Sequence, residues 1–213
     1  MSNNIADIRK EYKLRSLAEK DVQPDPFRQF DKWWQEAIHS NLEEVNAMTL
    51  ATAGADGMPD ARIVLLKGVD ANGFVFFTNY HSAKGQQLLE NPRASLVFFW
   101  AGLERQVRVS GLVSLTSEKA SDEYFNSRPE GSRIGAWASP QSEVIESREW
   151  LESEERRLAT AMAGHLQRPP HWGGYIVRPI RIEFWQGRPS RLHDRILYTL
   201  QGNGNWTIER LAP

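Results

Sequence analysis

The residues of this sequence best suited to chemistry are cations, amides and hydroxyls of the kind that hold anions. In Arg62-Ile63-Val64-Leu65-Leu66-Lys67 two cations bracket an apolar run that reads as a strand. Side chains alternate across a strand, so the spacing turns Arg62 and Lys67 to opposite faces and lets one strand serve two anions. Taken alone, the segment reads more simply as a strand with exposed ends. Tyr124 and Arg128 lie four residues apart and share a face if the segment is helical, and Ser132 then starts a second helix whose free N–H groups favour a phosphate. A helix end carrying a solvated arginine explains the same residues equally well. Arg191, His193 and Arg195 alternate, so in an extended segment they crowd one face while Asp194 turns away. Such crowding is costly without an anionic or electron-rich ligand. Glu104-Arg105-Gln106 and Gln141-Ser142 are weaker signals, since polar groups at a sheet rim usually just meet water. Trp33, Trp100, Trp137, Trp150, Trp172 and Trp206 read as core or interface packing.

Other chemistries have little to stand on. The 213 residues contain no cysteine, which removes disulfides, thiolate zinc sites and cysteine nucleophiles and points to a reducing cytoplasm. The five histidines never occur as H-x-x-x-H, so no metal is expected. No G-x-G-x-x-G follows a strand, and neither a Walker loop nor a G-x-S-x-G elbow is present. With 26 basic against 27 acidic residues the net charge is -1, so no general field attracts nucleic acid or anionic lipid. The polar N-terminus lacks the apolar core of a signal peptide, and no run is suited to crossing a bilayer.

These side chains need a scaffold, and the texture supplies a mainly β one. Residues 1–25 read as a mobile arm and 26–213 as a single domain. Asp25 caps an amphipathic helix that begins at Pro26 and presents Phe27, Phe30, Trp34, Ala37 and Ile38 on one side. Strands are expected at 47–53, 62–69, 73–79, 94–101, 106–115, 174–178, 181–186, 195–200 and 205–210, and helices at 83–90, from 116 or 117 through 125, and 142–163. Short strands without βα alternation argue for an antiparallel barrel with peripheral helices.

The ordered set Arg62–Lys67, Phe77-Thr78-Asn79, Asn91-Pro92-Arg93, Leu103-Glu104-Arg105-Gln106-Val107, Ser127-Arg128-Pro129, Ile134-Gly135-Ala136-Trp137, Phe184-Trp185-Gln186-Gly187 and Arg191-Leu192-His193-Asp194-Arg195 resembles the pyridoxamine 5'-phosphate oxidases over nearly the whole chain. The resemblance implies an FMN-binding split β-barrel, Greek-key-like and homodimeric, with each flavin in a cleft lined by both subunits. It implies FMN-dependent oxidation of pyridoxamine or pyridoxine 5'-phosphate by O2 to pyridoxal 5'-phosphate and H2O2, with hydride passing from substrate C4' to flavin N5. By the same carry-over, Arg62 and Lys84 hold the flavin phosphate, with Gln141 and Ser142 nearby. Ile63, Val64, Leu65, Leu66, Lys67, Phe77, Thr78, Gln106, Trp185 and Arg195 line the rest of the cofactor. Lys67, Tyr124, Arg128 and Ser132 take the substrate phosphate; Arg191, Leu192 and His193 lie at the substrate ring, with Arg191 and His193 as the catalytic pair; Arg9 and Tyr12 form a lid. One departure stands out: the family often has Ser-Arg-Lys where this chain has Ser82-Ala83-Lys84, so a cation near the flavin phosphate is missing. The alternatives are another split-barrel flavin oxidoreductase, a non-catalytic carrier of FMN or pyridoxal phosphate, and a nucleic-acid-binding barrel, which the near-neutral charge disfavours.

Overall fold

The computed structural model describes residues 4–8 and 10–213, so Arg9 lies outside the described residues. Strands β1 (Ala47–Ala53), β2 (Pro59–Leu65), β3 (Gly68–Asp70), β4 (Gly73–Asn79), β5 (Arg93–Trp100), β6 (Arg105–Leu115), β7 (Trp172–Gln186), β8 (Asp194–Leu200) and β9 (Trp206–Arg210) hydrogen-bond in the order β2-β1-β5-β6-β7-β4-β3. Off that path β8 pairs with β7, and β9 with β8. The ladders β3–β4, β4–β7, β7–β8 and β8–β9 are antiparallel. Five helices accompany them among the described residues: α1 (Pro26–Ile38), α2 (Ala83–Glu90), α3 (Glu118–Ser127), α4 (Glu130–Ala138) and α5 (Arg148–Ala161). This is the mainly β architecture with peripheral helices that the strand texture predicts. No helix among the described residues is long and apolar enough to cross a membrane.

The chain packs as two compact units, one comprising the chain up to Thr49 with Leu96–Ser110 and Pro179–Pro213, the other Leu50–Ser95 with Gly111–Arg178. In the first, the Asp25 side chain accepts from the Phe27 and Arg28 N–H groups at 2.7 and 3.0 Å, and Pro26, which has no N–H to satisfy, opens α1. The helix buries Phe30, Trp33 and Ala37; Trp33 meets Phe184 edge-on at 5.2 Å, and Phe184 meets Tyr198 at 5.5 Å. The segment before α1 is tied down. Glu104 accepts from the Lys13 and Leu14 N–H groups, Asp194 accepts from Leu17 N–H, and Leu17 is buried.

In the second unit β4 runs beside the first half of β7, Phe74 opposite Val177 through Asn79 opposite Trp172. Ser82, Ser117 and Ser147 cap α2, α3 and α5 through side-chain oxygens that accept from backbone N–H groups.

Four readings of the sequence need correction. The long final helix starts at Arg148 rather than Ser142, because Ser142 has a left-handed backbone (φ 75°) and the cap is Ser147. Residues 174–186 belong to one strand instead of two; Pro179, which cannot donate, falls between the ladder to β4 and the ladder to β8. The expected strand 62–69 breaks after Leu65, and Lys67 N–H donates to Val75 C=O at 2.8 Å, so alternation no longer relates Arg62 to Lys67. Finally, Pro189–Arg191 is a 3-10 turn with Ser190 and Arg191 at φ 55° and 60°, and β8 begins only at Asp194. Arg191, His193 and Arg195 therefore do not share an extended face.

Candidate active site

A cavity of about 890 Å³ opens in the second unit between the end of β2, β4, α2, α3, α4 and the turn after α4. That is near the top of the range for small-molecule sites, roughly 300–1,000 Å³, and leaves room for two ring systems. Arg62, Ile63, Val64, Leu65, Lys67, Phe77, Thr78, Lys84, Tyr124, Arg128, Ser132, Gln141 and Ser142 all line it. Arg62 and Lys67, expected on opposite faces, thus serve one cavity, because the strand break lets the chain turn between them. Leu66 points into the core instead and is 7% exposed.

The cations fall into two sets. In the first, Lys84 sits on the opening turn of α2, only 8% exposed, with Nζ donating to Gln141 Oε1 at 3.0 Å and Ser82 Oγ at 3.2 Å. It forms no ion pair with a carboxylate among the described residues. Burial pulls its pKa below the usual lysine value and the nearby Arg62 charge adds to this, with Asp60 opposing. Arg62 donates to Asp60, Thr52, the Leu50 carbonyl and Gln87. Thr78 Oγ1 reaches the same Gln141 oxygen at 3.2 Å.

The second set is built on aromatic rings. Tyr124 stacks on Phe77 with centroids 4.1 Å apart, and Phe77 stacks on Trp172 at 5.6 Å. The Arg128 guanidinium lies 4.6 Å from the Trp172 ring centre, and its Nη1 is buried without a hydrogen-bond partner. Burial lowers its pKa as well. Arg128 is extended rather than helical because it precedes Pro129, which disfavours the helical region for the residue before it. This removes the shared helix face expected of Tyr124 and Arg128, yet both still reach the cavity. Lys67 Nζ stands 5.7 Å from the Tyr124 ring centre. Helix α4 begins at Glu130, two residues before Ser132, and its cap position, Pro129, offers no side-chain acceptor. Strand β2, which carries Arg62, ends the sheet order, so among the described residues one of its edges has no strand partner.

The remaining predicted residues lie in the first unit. Tyr12, Arg191 and His193 line a separate pocket of about 430 Å³ with Lys10, Glu11 and Arg188. His193 Nδ1 accepts from Arg188 N–H at 3.1 Å, its ring sits 4.6 Å from Trp185, and Tyr12 packs edge-on against both. Burial and, secondarily, the Arg191 charge lower the His193 pKa. The accepting Nδ1 places the proton of the neutral ring on Nε2. Leu192 is exposed and outside that pocket. Arg195 donates to both carboxylate oxygens of Glu183, at 2.8 and 3.1 Å, and to the Ala212 carbonyl. Gln106, on β6, lines neither pocket.

Sequence reasoning passed over Trp172, taken as packing, which is the platform under Arg128. It also missed Asp60 and Glu183, the carboxylates that hold Arg62 and Arg195. No spacing rule links those pairs to a site, although Asp60 lies two residues from Arg62 on the same strand.

Residues 34–160 match the family profile described as pyridoxamine 5'-phosphate oxidase, more than half of the chain. The chain belongs to the pyridoxamine 5'-phosphate oxidase family. Residues 172–213 match the profile of the pyridoxine 5'-phosphate oxidase C-terminal dimerisation region. A pyridoxine/pyridoxamine 5'-phosphate oxidase of Paraburkholderia phymatum is 62% identical over 211 residues, 99% of this chain and 100% of the relative. One of Cupriavidus metallidurans is 57% identical, covering 98% and 99% of the two chains. Among solved structures, PhzG from Burkholderia lata, in complex with tetrahydrophenazine-1-carboxylic acid, superposes with a TM-score of 0.89 at 29% identity, covering 96% of this chain and all of its own. A pyridoxamine 5'-phosphate oxidase-related, FMN-binding protein of Nostoc punctiforme shares the fold, with a TM-score of 0.72 at 19% identity over 90% of this chain and all of its own.

Proposed function

We propose that the protein oxidises pyridoxamine or pyridoxine 5'-phosphate to pyridoxal 5'-phosphate, with O2 as terminal acceptor, H2O2 as product and ammonia released from the amine. The enzyme is an oxidase of its family, with FMN as the cofactor. The cavity suits that group: Lys84 is a buried cation with no ion pair among the described residues, suited to a phosphate, and the outer edge of β2 offers backbone groups to a planar heterocycle. When bound, FMN supplies the chemistry of accepting a hydride and passing electrons to dioxygen.

The observation that carries the reading is the second cation set. A cofactor phosphate engages Arg62 and Lys84, yet Lys67 and Arg128 remain in the same cavity, and Arg128 keeps a buried N–H unused. A second, phosphorylated molecule accounts for them. Lys67, Arg128, Tyr124 and Ser132 then fix that phosphate, and the binding energy of this remote group goes into orienting the carbon to be oxidised. Arg191 and His193 supply the ring-facing side. They line a pocket in the other unit of the chain, and in a homodimer they come from the partner subunit, in keeping with the C-terminal dimerisation match. Tyr12 closes over them, with Arg9 as the other lid residue.

The test is the visible spectrum of FMN-loaded protein on anaerobic addition of pyridoxine 5'-phosphate. Bleaching that reverses in air supports the reading. A band that survives both this substrate and pyridoxamine 5'-phosphate refutes it.

A further inference from the structure

Arg62, placed above at the cofactor phosphate, is already engaged. Its Nη2 donates to Asp60 Oδ2 and, at 3.2 Å, to Gln87 Oε1; its Nη1 donates to Thr52 Oγ1 and, at 3.4 Å, to the Leu50 carbonyl. A guanidinium has five N–H groups, so four contacts leave little with which to grip a phosphate by two parallel bonds. Three of the contacts are to neutral oxygens that fix the group in place. The fourth is to the Asp60 carboxylate, itself held by Gln87 Nε2 at 3.3 Å. Gln87 lies one helical turn beyond Lys84 on α2, and Thr52 donates to its Oε1 at 2.6 Å, so the network is anchored from both sides. The Asp60 side chain is 46% exposed while that of Arg62 is 19% exposed, so the carboxylate is free to swing into water and the cation is not.

We infer that Asp60 is a resident anion on Arg62 that competes with the phosphate of FMN for it, so that loading proceeds by exchange of one anion for another. This rests on the assignment of Arg62 and Lys84 to the cofactor phosphate. The carboxylate offsets two neighbouring cations, Arg62 and Lys84, whose mutual repulsion the site must otherwise bear. Once a phosphate arrives, the same carboxylate becomes a like charge beside a dianion and opposes it. An ion pair with a half-exposed carboxylate is weak, so giving it up is a small barrier to loading, yet together with the residual repulsion it costs about three- to tenfold in affinity. The chain also has Ala83 rather than a cation next to Lys84, so nothing on that turn compensates. The expected selectivity follows from the placement: Asp60 does not line the cavity and bears on a ligand only through Arg62, so a flavin without a phosphate leaves the pair undisturbed.

The experiment titrates cofactor-free, full-length protein with FMN and with riboflavin, following flavin fluorescence, for the unsubstituted chain, Asp60→Asn, Asp60→Ser and Asp60→Glu. Asp60→Asn and Asp60→Ser bind FMN about three- to tenfold more tightly with riboflavin unchanged, and Asp60→Glu stays near the starting value. An FMN affinity that is unchanged or weaker in both neutral variants overturns the inference and makes Asp60 a simple prop for Arg62. An equal gain for riboflavin also overturns it, since the effect is then not on the phosphate. Failure of the unsubstituted protein to bind FMN at all sinks the cofactor assignment beneath it.

Discussion

Replacing Arg128 by alanine isolates the seat proposed for the substrate phosphate. The guanidinium lies against the Trp172 ring at 4.6 Å and keeps one buried N–H without a partner, so its unspent hydrogen bonding is aimed at whatever occupies the cavity. A hydrogen bond to a charged group contributes about 1.5–3 kcal/mol, which is roughly one to two decades in affinity. Lys67 and Ser132 remain, so the seat is weakened rather than abolished. KM for pyridoxine 5'-phosphate should rise about 10- to 100-fold with a smaller change in kcat, and the FMN dissociation constant should stay within about twofold because Arg62 and Lys84 are untouched. Arg128→Lys should recover only part of the loss, since an ammonium cannot reproduce a two-pronged contact. Steady-state kinetics under air, with a parallel flavin titration, read both quantities. An unchanged KM would refute the phosphate seat. Equal losses in KM and in flavin binding would show instead that Arg128 props up the whole cavity through Trp172.

Three further outcomes follow from the same geometry. Lys84→Met should weaken FMN binding at least tenfold and yet raise the melting temperature of the cofactor-free protein by about 2–4 °C, because it removes a buried cation that forms no ion pair among the described residues. The folded-state pKa of Lys84 is lowered, so the cost of its charge is present at neutral pH and relieved as pH rises through that lowered value; the gain from Met should shrink in step, and a melting point independent of both changes would contradict this. Ala83→Arg, on the exposed first position of α2, should tighten FMN by one to two decades, and an identical dissociation constant on fluorescence titration would count against it. Arg191→Met should lower turnover far more than flavin affinity in single-turnover reduction experiments, whereas matched losses would remove Arg191 from the ring-facing role.

The elements most faithfully written in the sequence are those decided by local chemistry. Asp25-Pro26 starts α1 where the cap and the missing N–H require it, and Asn91-Pro92 ends α2. The readings that failed are those in which tertiary partners change along the chain. Arg62 and Lys67 were assigned to opposite faces on the assumption of one strand, but the chain leaves β2 after Leu65 and takes Val75 as its next partner, which no local signal announces. Left-handed backbone at Ser190 and Arg191 breaks the alternation of Arg191, His193 and Arg195, and neither residue type advertises it. Trp172 looked like packing because a tryptophan wall and a tryptophan core have the same composition. Of the residues that the resemblance assigns to the cofactor and the substrate phosphate, all but Leu66, Gln106, Trp185 and Arg195 line one cavity, a grouping that ordered motifs supply and periodicity cannot.

Leu17 N–H bonds to Asp194, and Glu19 forms an ion pair with Arg210, across 177 and 191 positions of chain. During synthesis the early partner waits for all of the intervening chain to be made before its contact exists. Loop closure over such a span is slow and entropically costly, so the first unit completes last. Until then the Leu17 N–H and the Glu19 carboxylate lack their partners, and the nascent chain offers chaperones and proteases a handle that the finished protein withdraws.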